Sequence, residues 1–198
     1  MSFFGINAAG IKSKLRTFDN VLDKAKPDVF LIQETKLKPN EKIECELVGN
    51  YDVYYLNRKM SLGGGVAIGV NKEIESTHLT EGNDEVEVLS LHLFLGKLTV
   101  RTIVGYGPQE NAPIRKKEKF WEFLENEVNE AELKHEAVVI QMDGNVHVGS
   151  NVIPNDPNEQ NRNGALFEEF LSRYKQLFVV NSLDICDGVI TRQRILKT

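Results

Sequence analysis

Four short polar blocks interrupt the apolar stretches of this sequence, and each carries side chains capable of acid–base or metal chemistry. They are Asn7 with Gly10, Gln33-Glu34-Thr35, Tyr106-Gly107-Pro108-Gln109 and Asp143-Gly144-Asn145. Together they offer two carboxylates, two or three amides and a phenol, with no cysteine and no serine triad. Oxygen ligands of this kind suit a hard cation such as Mg²⁺ or Mn²⁺.

Such a set of side chains indicates hydrolysis of a phosphate ester. A bound divalent cation can neutralise phosphate oxygens while a carboxylate activates a water molecule for attack. Amides and a tyrosine hydroxyl can donate hydrogen bonds to the oxygens that gain charge in the transition state. The sequence therefore predicts hydrolysis of a phosphodiester or a phosphomonoester, provided that the four blocks meet.

The blocks can meet only if the strands before them end at a common edge. Apolar runs precede all four blocks and predict strands at 3–9, 29–32, 98–106 and 137–142. In α/β folds, functional sites form where strand ends meet loops. An Asp-Gly pair alone is as readily a simple turn, so the prediction depends on all four blocks together.

The remaining pattern predicts mixed sheets with helices outside them. Apolar residues at helical spacing predict helices at 15–25, 114–133 and 166–174. Further strands are predicted at 51–56, 66–70, 89–95, 177–180 and 189–191, with a two-residue hairpin turn at Gly96-Lys97. Strands outnumber helices, so the predicted class is α/β, most simply a sandwich of two sheets.

Composition limits the class of protein. The 198 residues, 41% hydrophobic and 27% charged, are typical of one soluble globular domain. The net charge of -5 argues against a wholly basic nucleic-acid surface but allows a nuclease whose cation supplies positive charge. The sequence has no long apolar span and no secretory signal, and its two cysteines, Cys45 and Cys186, fit a reducing compartment. We therefore expect an intracellular protein, nuclear or cytoplasmic.

The blocks occur in an order that resembles the endonuclease/exonuclease/phosphatase superfamily. The matching stretches are 6–14, 27–36, 63–68, 105–109 and 143–145. The set is most similar to the endonuclease domain at the start of a non-LTR retrotransposon polyprotein, itself similar to apurinic/apyrimidinic endonucleases. The resemblance implies a four-layer, DNase I-like α/β sandwich of two mixed sheets flanked by helices, as one domain over 1–198.

The resemblance also implies roles for five residues and for their partners. Glu34 would bind Mg²⁺ or Mn²⁺, and Asn7 would help to hold the metal or the scissile phosphate. Tyr106 would hydrogen-bond that phosphate. Asp143 would position or deprotonate the attacking water, and Asn145 would orient Asp143 and stabilise the transition state. The implied partners are DNA and a reverse transcriptase domain of the same polyprotein, with no membrane.

Three departures from the family pattern bear on activity. Ala9 stands where many relatives have Asn or Asp beside the metal, and Met142 and Gly144 flank Asp143 where the usual block reads Gly-Asp-Phe/Leu-Asn. Relatives continue into a strand with an Asp and a closing block with an Asp and a catalytic His, whereas this sequence stops at Thr198. We therefore expect a domain without its last strands and with impaired activity.

Two other functions stay open at this stage. The first is a catalytically inactive remnant or binding module of the same fold. The second is a phosphatase or phosphodiesterase that acts on a phosphomonoester or a lipid headgroup. Basic residues after strand ends either contact a phosphate backbone or lie in solvated loops; they are Lys36, Lys38, Arg58 and Lys59. The charged run 115–119 is most simply the exposed face of a helix.

Overall fold

A computed structural model describes residues 1–59, 63–149 and 159–180, and eight strands in two sheets lie within them. The first sheet has the order β1-β2-β4-β3 and consists of β1 (Phe3–Asn7), β2 (Val29–Gln33), β3 (Tyr51–Leu56) and β4 (Val66–Asn71). The second has the order β5-β6-β7-β8 and consists of β5 (Glu75–Glu81), β6 (Glu87–Leu95), β7 (Leu98–Tyr106) and β8 (Ala137–Asp143).

Each sheet combines one parallel pair with two antiparallel pairs. The parallel pairs are β1 with β2 in the first sheet and β7 with β8 in the second. Parallel strands need a crossover connection, and the crossovers contain α1 (Leu15–Ala25) and α2 (Ile114–Leu133). Because both strands of a parallel pair end at the same edge, each pair brings two of the four polar blocks to one end of its sheet.

The helices complete four layers. The inner faces of the sheets form one core, in which Leu31 and Ile68 of the first sheet pack with Leu91 and Val104 of the second. Phe30 faces α1 on the outer side of the first sheet, and α2 and α3 (Arg162–Arg173) cover the outer side of the second. The predicted four-layer α/β sandwich of two mixed sheets is confirmed.

Two predicted elements differ from the structure. The sequence pattern does not predict β5, because its residues are mostly polar and exposed at the edge of the second sheet. The prediction of a strand at 177–180 is wrong, because the chain turns after α3. There the N–H of Leu177 donates to the carbonyl of Tyr174 at 2.9 Å, and Leu177 packs against the α2–α3 cluster. The strand predicted at 189–191 lies outside the described residues.

The single domain over 1–198 stays a prediction. None of the helices in the described part of the chain combines the length and the apolarity needed to cross a membrane.

Candidate active site

The four polar blocks lie together at one end of the sandwich. Asn7 is level with Gln33 at the ends of β1 and β2, and Tyr106 is level with Asp143 at the ends of β7 and β8. The side chain of Asn7 connects the two sheets, since its Nδ2 donates to Glu34 Oε1 at 2.9 Å and to Asp143 Oδ2 at 2.5 Å. The two predicted carboxylates therefore face one another across a single amide.

The backbone fixes the orientation of the Asn7 amide. The N–H of Ala9 donates to Asn7 Oδ1 at 2.9 Å, so the NH₂ group is the one directed at Glu34 and Asp143. This amide occupies the space between two carboxylates that a cation would otherwise neutralise. The oxygen that would bind a metal, Asn7 Oδ1, already accepts a hydrogen bond from Ala9. The role of Asn7 as a metal ligand stays a prediction.

Glu34 follows β2 directly and receives hydrogen bonds from three side chains. Its Oε2 lies 3.1 Å from Lys36 Nζ, and Asn7 and Tyr106 also donate to it. Partial burial raises the pKa of the Glu34 carboxyl, but the hydrogen bonds from Asn7, Lys36 and Tyr106 outweigh burial and lower the pKa below its ordinary value. Glu34 is therefore ionised at neutral pH, as metal binding requires.

Tyr106 presents a protonated phenol to the same space. Its side chain is only 6% exposed, and this burial is the largest cause of its raised pKa. A hydrogen bond with Gln109 opposes the increase, whereas the negative charges of Glu34 and Asp143 add to it. The phenol thus keeps its proton at neutral pH and can donate a hydrogen bond to a phosphate oxygen.

Asn145 acts on Asp143 through its backbone. The N–H of Asn145 donates to Asp143 Oδ1 at 3.2 Å, while its side-chain amide donates to the carbonyl of Gly107 at 2.8 Å. The main chain of Asn145 thus contacts the carboxylate of Asp143, and the orienting role suggested for this residue stays a prediction. The stabilisation of a transition state by its side chain stays a prediction.

Left-handed backbone conformations orient the side chains of Glu34 and Asn145. Glu34 has φ 49° and Asn145 has φ 48°, in the left-handed region, which costs roughly 1–2 kcal/mol for most residues that carry a Cβ. Ala9, with φ 45°, adopts a third such conformation beside Asn7. The surrounding hydrogen bonds hold these conformations, so the fold rather than local preference sets the geometry of the site.

The start of α3 supports the site, and the sequence analysis does not identify it. Asn161 precedes the helix, and its Oδ1 accepts from the N–H of Gly164 at 2.7 Å while its Nδ2 donates to the carbonyl of Asn145 at 2.9 Å. Asn163 is fully buried and donates to the carbonyl of Pro108 at 2.6 Å. Asparagine before a helix is a recognisable cap signal. No sequence signal shows that these two amides hold the Tyr106 and Asp143 loops together.

A pair of glutamines joins the sheets below the site. Gln33 Nε2 donates to Gln141 Oε1 at 2.7 Å, and Gln141 Nε2 donates to Gln33 Oε1 at 3.3 Å. Gly5 makes room for this pair, because a Cβ at position 5 would lie 2.4 Å from the Gln141 side chain. Since buried amides must be hydrogen-bonded, the pair fixes the position of one sheet relative to the other.

The donor set fits a hard divalent cation in kind. Within the described ranges, no three His, Cys, Asp or Glu side chains are grouped as metal ligands. Mg²⁺ needs only one or two carboxylates because it keeps several water molecules, and Glu34 supplies one. The carboxylates of Glu34 and Asp143 both receive hydrogen bonds from the Asn7 amide, and Glu34 also pairs with the cation of Lys36.

Comparison with known sequences shows which protein family the chain matches. Residues 4–142, including Asn7, Glu34 and Tyr106, match the sequence profile of the Endonuclease/Exonuclease/phosphatase family. No curated protein sequence matches the chain significantly.

Three solved structures share the fold. The 3′ phosphatase NExo from Neisseria, bound to a product DNA hairpin, has 17% identity and a TM-score of 0.64, covering 87% of this chain and 70% of that chain. An AP endonuclease from Archaeoglobus fulgidus has 19% identity and a TM-score of 0.63, with 87% and 70% covered. The endonuclease domain of TRAS1, a telomere-specific non-LTR retrotransposon, has 15% identity and a TM-score of 0.61, with 86% and 70% covered. The chain thus spans about 70% of the length of each.

Proposed function

Because the chain belongs to the endonuclease/exonuclease/phosphatase family, we propose that it hydrolyses phosphodiester bonds in DNA as a metal-dependent endonuclease. The observation that carries this proposal is the amide of Asn7, which bridges the carboxylates of Glu34 and Asp143. Tyr106 lies within hydrogen-bonding reach of Glu34. An acid pair, an amide and a phenol thus meet where the strand ends of both sheets converge.

Each side chain has a distinct task in this proposal. Asp143 accepts the proton of the attacking water, with its carboxylate held by the N–H of Asn145. Tyr106 donates a hydrogen bond to a phosphate oxygen as negative charge grows on it. Glu34 would hold Mg²⁺ or Mn²⁺, and the bound cation would supply the positive charge that neutralises the phosphate. The Asn7 NH₂ group, which the cation would displace from the carboxylates, would then hold the scissile phosphate.

A plasmid-nicking assay tests the proposal. Supercoiled plasmid is incubated with the purified chain, and we expect nicked circles with Mg²⁺ and none with EDTA. Replacing the general base, Asp143→Asn, should lower the rate by about 10²–10⁴-fold. Asp52→Asn, at an exposed position of β3, should keep the parent rate. A parent chain that nicks no faster than Asp143→Asn would falsify the proposal.

The likeness to the TRAS1 endonuclease domain supports a narrower role. In this role the chain nicks target DNA for integration of a retrotransposon, and a reverse transcriptase domain of the same polyprotein extends the nick. Such a nick must leave a 3′-hydroxyl group that a polymerase can extend. Primer extension directly from the nicked plasmid tests this, and nicks that carry a 3′-phosphate would exclude the role.

A second candidate is a phosphomonoesterase acting on DNA ends, because one structural neighbour is a 3′ phosphatase bound to a DNA hairpin. A hairpin oligonucleotide with a 3′-phosphate is the substrate that separates the two. Release of inorganic phosphate faster than plasmid nicking, with both lost in Asp143→Asn, would favour the phosphatase. If the chain performs neither reaction, a binding module of the same fold becomes the better description.

A further inference from the structure

A cleft of about 400 Å³ opens beside the candidate site and shares Glu34 and Tyr106 with it. We infer that this cleft is a second phosphate subsite, which holds the nucleotide next to the scissile phosphodiester and depends on the ammonium group of Lys116. The inference rests on the proposed endonuclease function and makes it more specific, because a subsite of this kind selects a polynucleotide over a phosphomonoester.

The position and the volume of the cleft suit a nucleotide. Loops after β2 and β7, the two glycines at 63–64 and the first turn of α2 line it, including Lys36, Gln109 and Lys116. Binding clefts for small ligands measure roughly 300–1,000 Å³, so the space exceeds what one phosphate group fills. A strand with its scissile phosphate at Tyr106 therefore has room for the adjoining nucleotide in the cleft.

The acidic side chains in the cleft are already neutralised. Three of them line it, and each has a cationic partner: Glu87 pairs with Arg58, Glu85 with Lys119 at 2.6 Å, and Glu34 with Lys36 at 3.1 Å. Glu87 also accepts from the N–H of Gly65 at 2.5 Å. These pairs remove most of the repulsion that a phosphate would otherwise meet.

Lys116 adds a positive charge that forms no salt bridge among the described residues. The hydrogen bond from Lys119 is the main cause that lowers the pKa of the nearby Glu85 carboxyl, and the charge of Lys116 adds to this effect. Lys116 Nζ donates to the backbone carbonyl of Asp84 at 3.3 Å. Lys116 also lies in the first turn of α2, which contains no acidic residue. The helix dipole disfavours cations at this end, and a bound anion would relieve this cost.

The polarity of the lining decides between ligand classes. Among the described residues, and apart from the Tyr106 ring, the apolar side chains that line the cleft are Pro108 and Ala112. The acyl part of a lipid would find little apolar surface here, whereas a hydrated sugar–phosphate backbone finds amides, glycine backbone and ammonium groups. The cleft therefore favours a nucleic-acid strand over a lipid headgroup ester.

Salt-dependent DNA binding tests the inference. A fluorescent oligonucleotide duplex is titrated with the chain carrying Asp143→Asn, which slows cleavage, and its Kd is measured by anisotropy at several KCl concentrations. Adding Lys116→Gln should make the negative slope of log K against log[salt] less steep by about 0.9. The same lost contact should weaken binding about eight-fold at 0.1 M salt. Lys116→Arg should restore both values.

A matched variant and a second ligand complete the test. Lys134→Gln, which removes an exposed cation just beyond the other end of α2, should leave slope and affinity unchanged. Equal Kd values for the Lys116→Gln and parental chains would overturn the inference while leaving nicking, and hence the proposed function, intact. Tighter binding of deoxynucleoside monophosphate than of the duplex, with both weakened by Lys116→Gln, would instead identify a monoester pocket. A parental chain that neither binds nor nicks DNA would overturn both proposals.

Discussion

Removing the Asn7 amide is the most direct test of how the site is built. The substitution Asn7→Ala deletes the group that donates to Glu34 at 2.9 Å and to Asp143 at 2.5 Å. The two carboxylates are then left facing one another with no donor between them. We expect the free energy of unfolding to fall, and we expect a divalent cation to recover part of the loss.

The expected magnitude follows from the two hydrogen bonds. A hydrogen bond to a charged group contributes about 1.5–3 kcal/mol when buried. Because Asn7, Glu34 and Asp143 are only partly buried, water replaces much of this interaction, and a loss of about 2 kcal/mol is expected for the pair. For a domain of this size, that corresponds to roughly 4–8 °C in Tm.

The loss should depend on pH in a defined direction. Burial raises the pKa of Glu34, but hydrogen bonds outweigh it, the one from Asn7 most strongly, so the folded-state pKa lies below its ordinary value. The stabilisation from ionised Glu34 is therefore present above the unfolded pKa of about 4.3 and is lost as the pH falls through the lower folded pKa. The difference between the parent and Asn7→Ala should shrink in that acidic range.

Thermal unfolding in EDTA, at pH 7 and again near pH 3, measures the effect. Asn20→Ala, at an exposed position of α1, serves as the control and should change stability by no more than about 0.5 kcal/mol. Adding Mg²⁺ at pH 7 should raise the Tm of Asn7→Ala more than that of the parent, because the cation then meets no competing amide. If Asn7→Ala unfolds at the parental temperature in EDTA, the amide does not bridge the two acids and the reasoning fails.

Three further substitutions probe the supports of the site and the core. Asn163→Ala should cost about 1–3 kcal/mol in urea unfolding, because a buried carbonyl loses its donor. Gly5→Ala should cost about 1–3 kcal/mol, since the new Cβ displaces Gln141 from between the sheets. Arg101→Met should cost about 3–5 kcal/mol, because it leaves the carboxylate of Glu127 buried without its cation.

Each of these variants has a matched control in the same chain. Asn126→Ala and Arg115→Met change exposed positions of α2. A Cβ at Gly49 meets no atom within 4 Å, so Gly49→Ala controls for Gly5→Ala. All three controls should stay within about 0.5 kcal/mol of the parent in urea unfolding. A buried-site variant that matches its control would show that the contact contributes nothing measurable.

The layout of the site was predictable because the signals for strands and for polar blocks coincide. Apolar runs that end abruptly at Glu34 or at Asp143 mark both a buried strand and its tip. Two crossover helices with clear 3.6-residue periodicity imply parallel pairs, and parallel pairs bring their tips to one edge. The four-layer fold follows from the same pattern. The chemical roles of the site residues are not settled by the pattern and stay predictions.

The contacts that hold the site were not predictable, since each joins residues distant in sequence through generic polar groups. Nothing about Asn163 distinguishes an amide that donates to Pro108 from one in a solvated turn. The pairing of Gln33 with Gln141 depends on the distance between the sheets. The strand β5 was not predicted because an exposed edge strand needs no apolar face. The charge pattern of residues 115–119 predicts an exposed helix face. In the structure Lys117 is buried, and its Nζ donates to the carbonyl of Glu110 at 2.6 Å.

The left-handed backbone at Glu34 and Asn145 has a consequence for any attempt to make this chain more robust. Glycine adopts that conformation without steric penalty, so selection for heat resistance alone would tend to replace the side chains proposed to do the chemistry. Durability and catalysis therefore favour different amino acids at these two positions. A library screened for both properties at once should keep Glu34 and accept gains only elsewhere in the molecule.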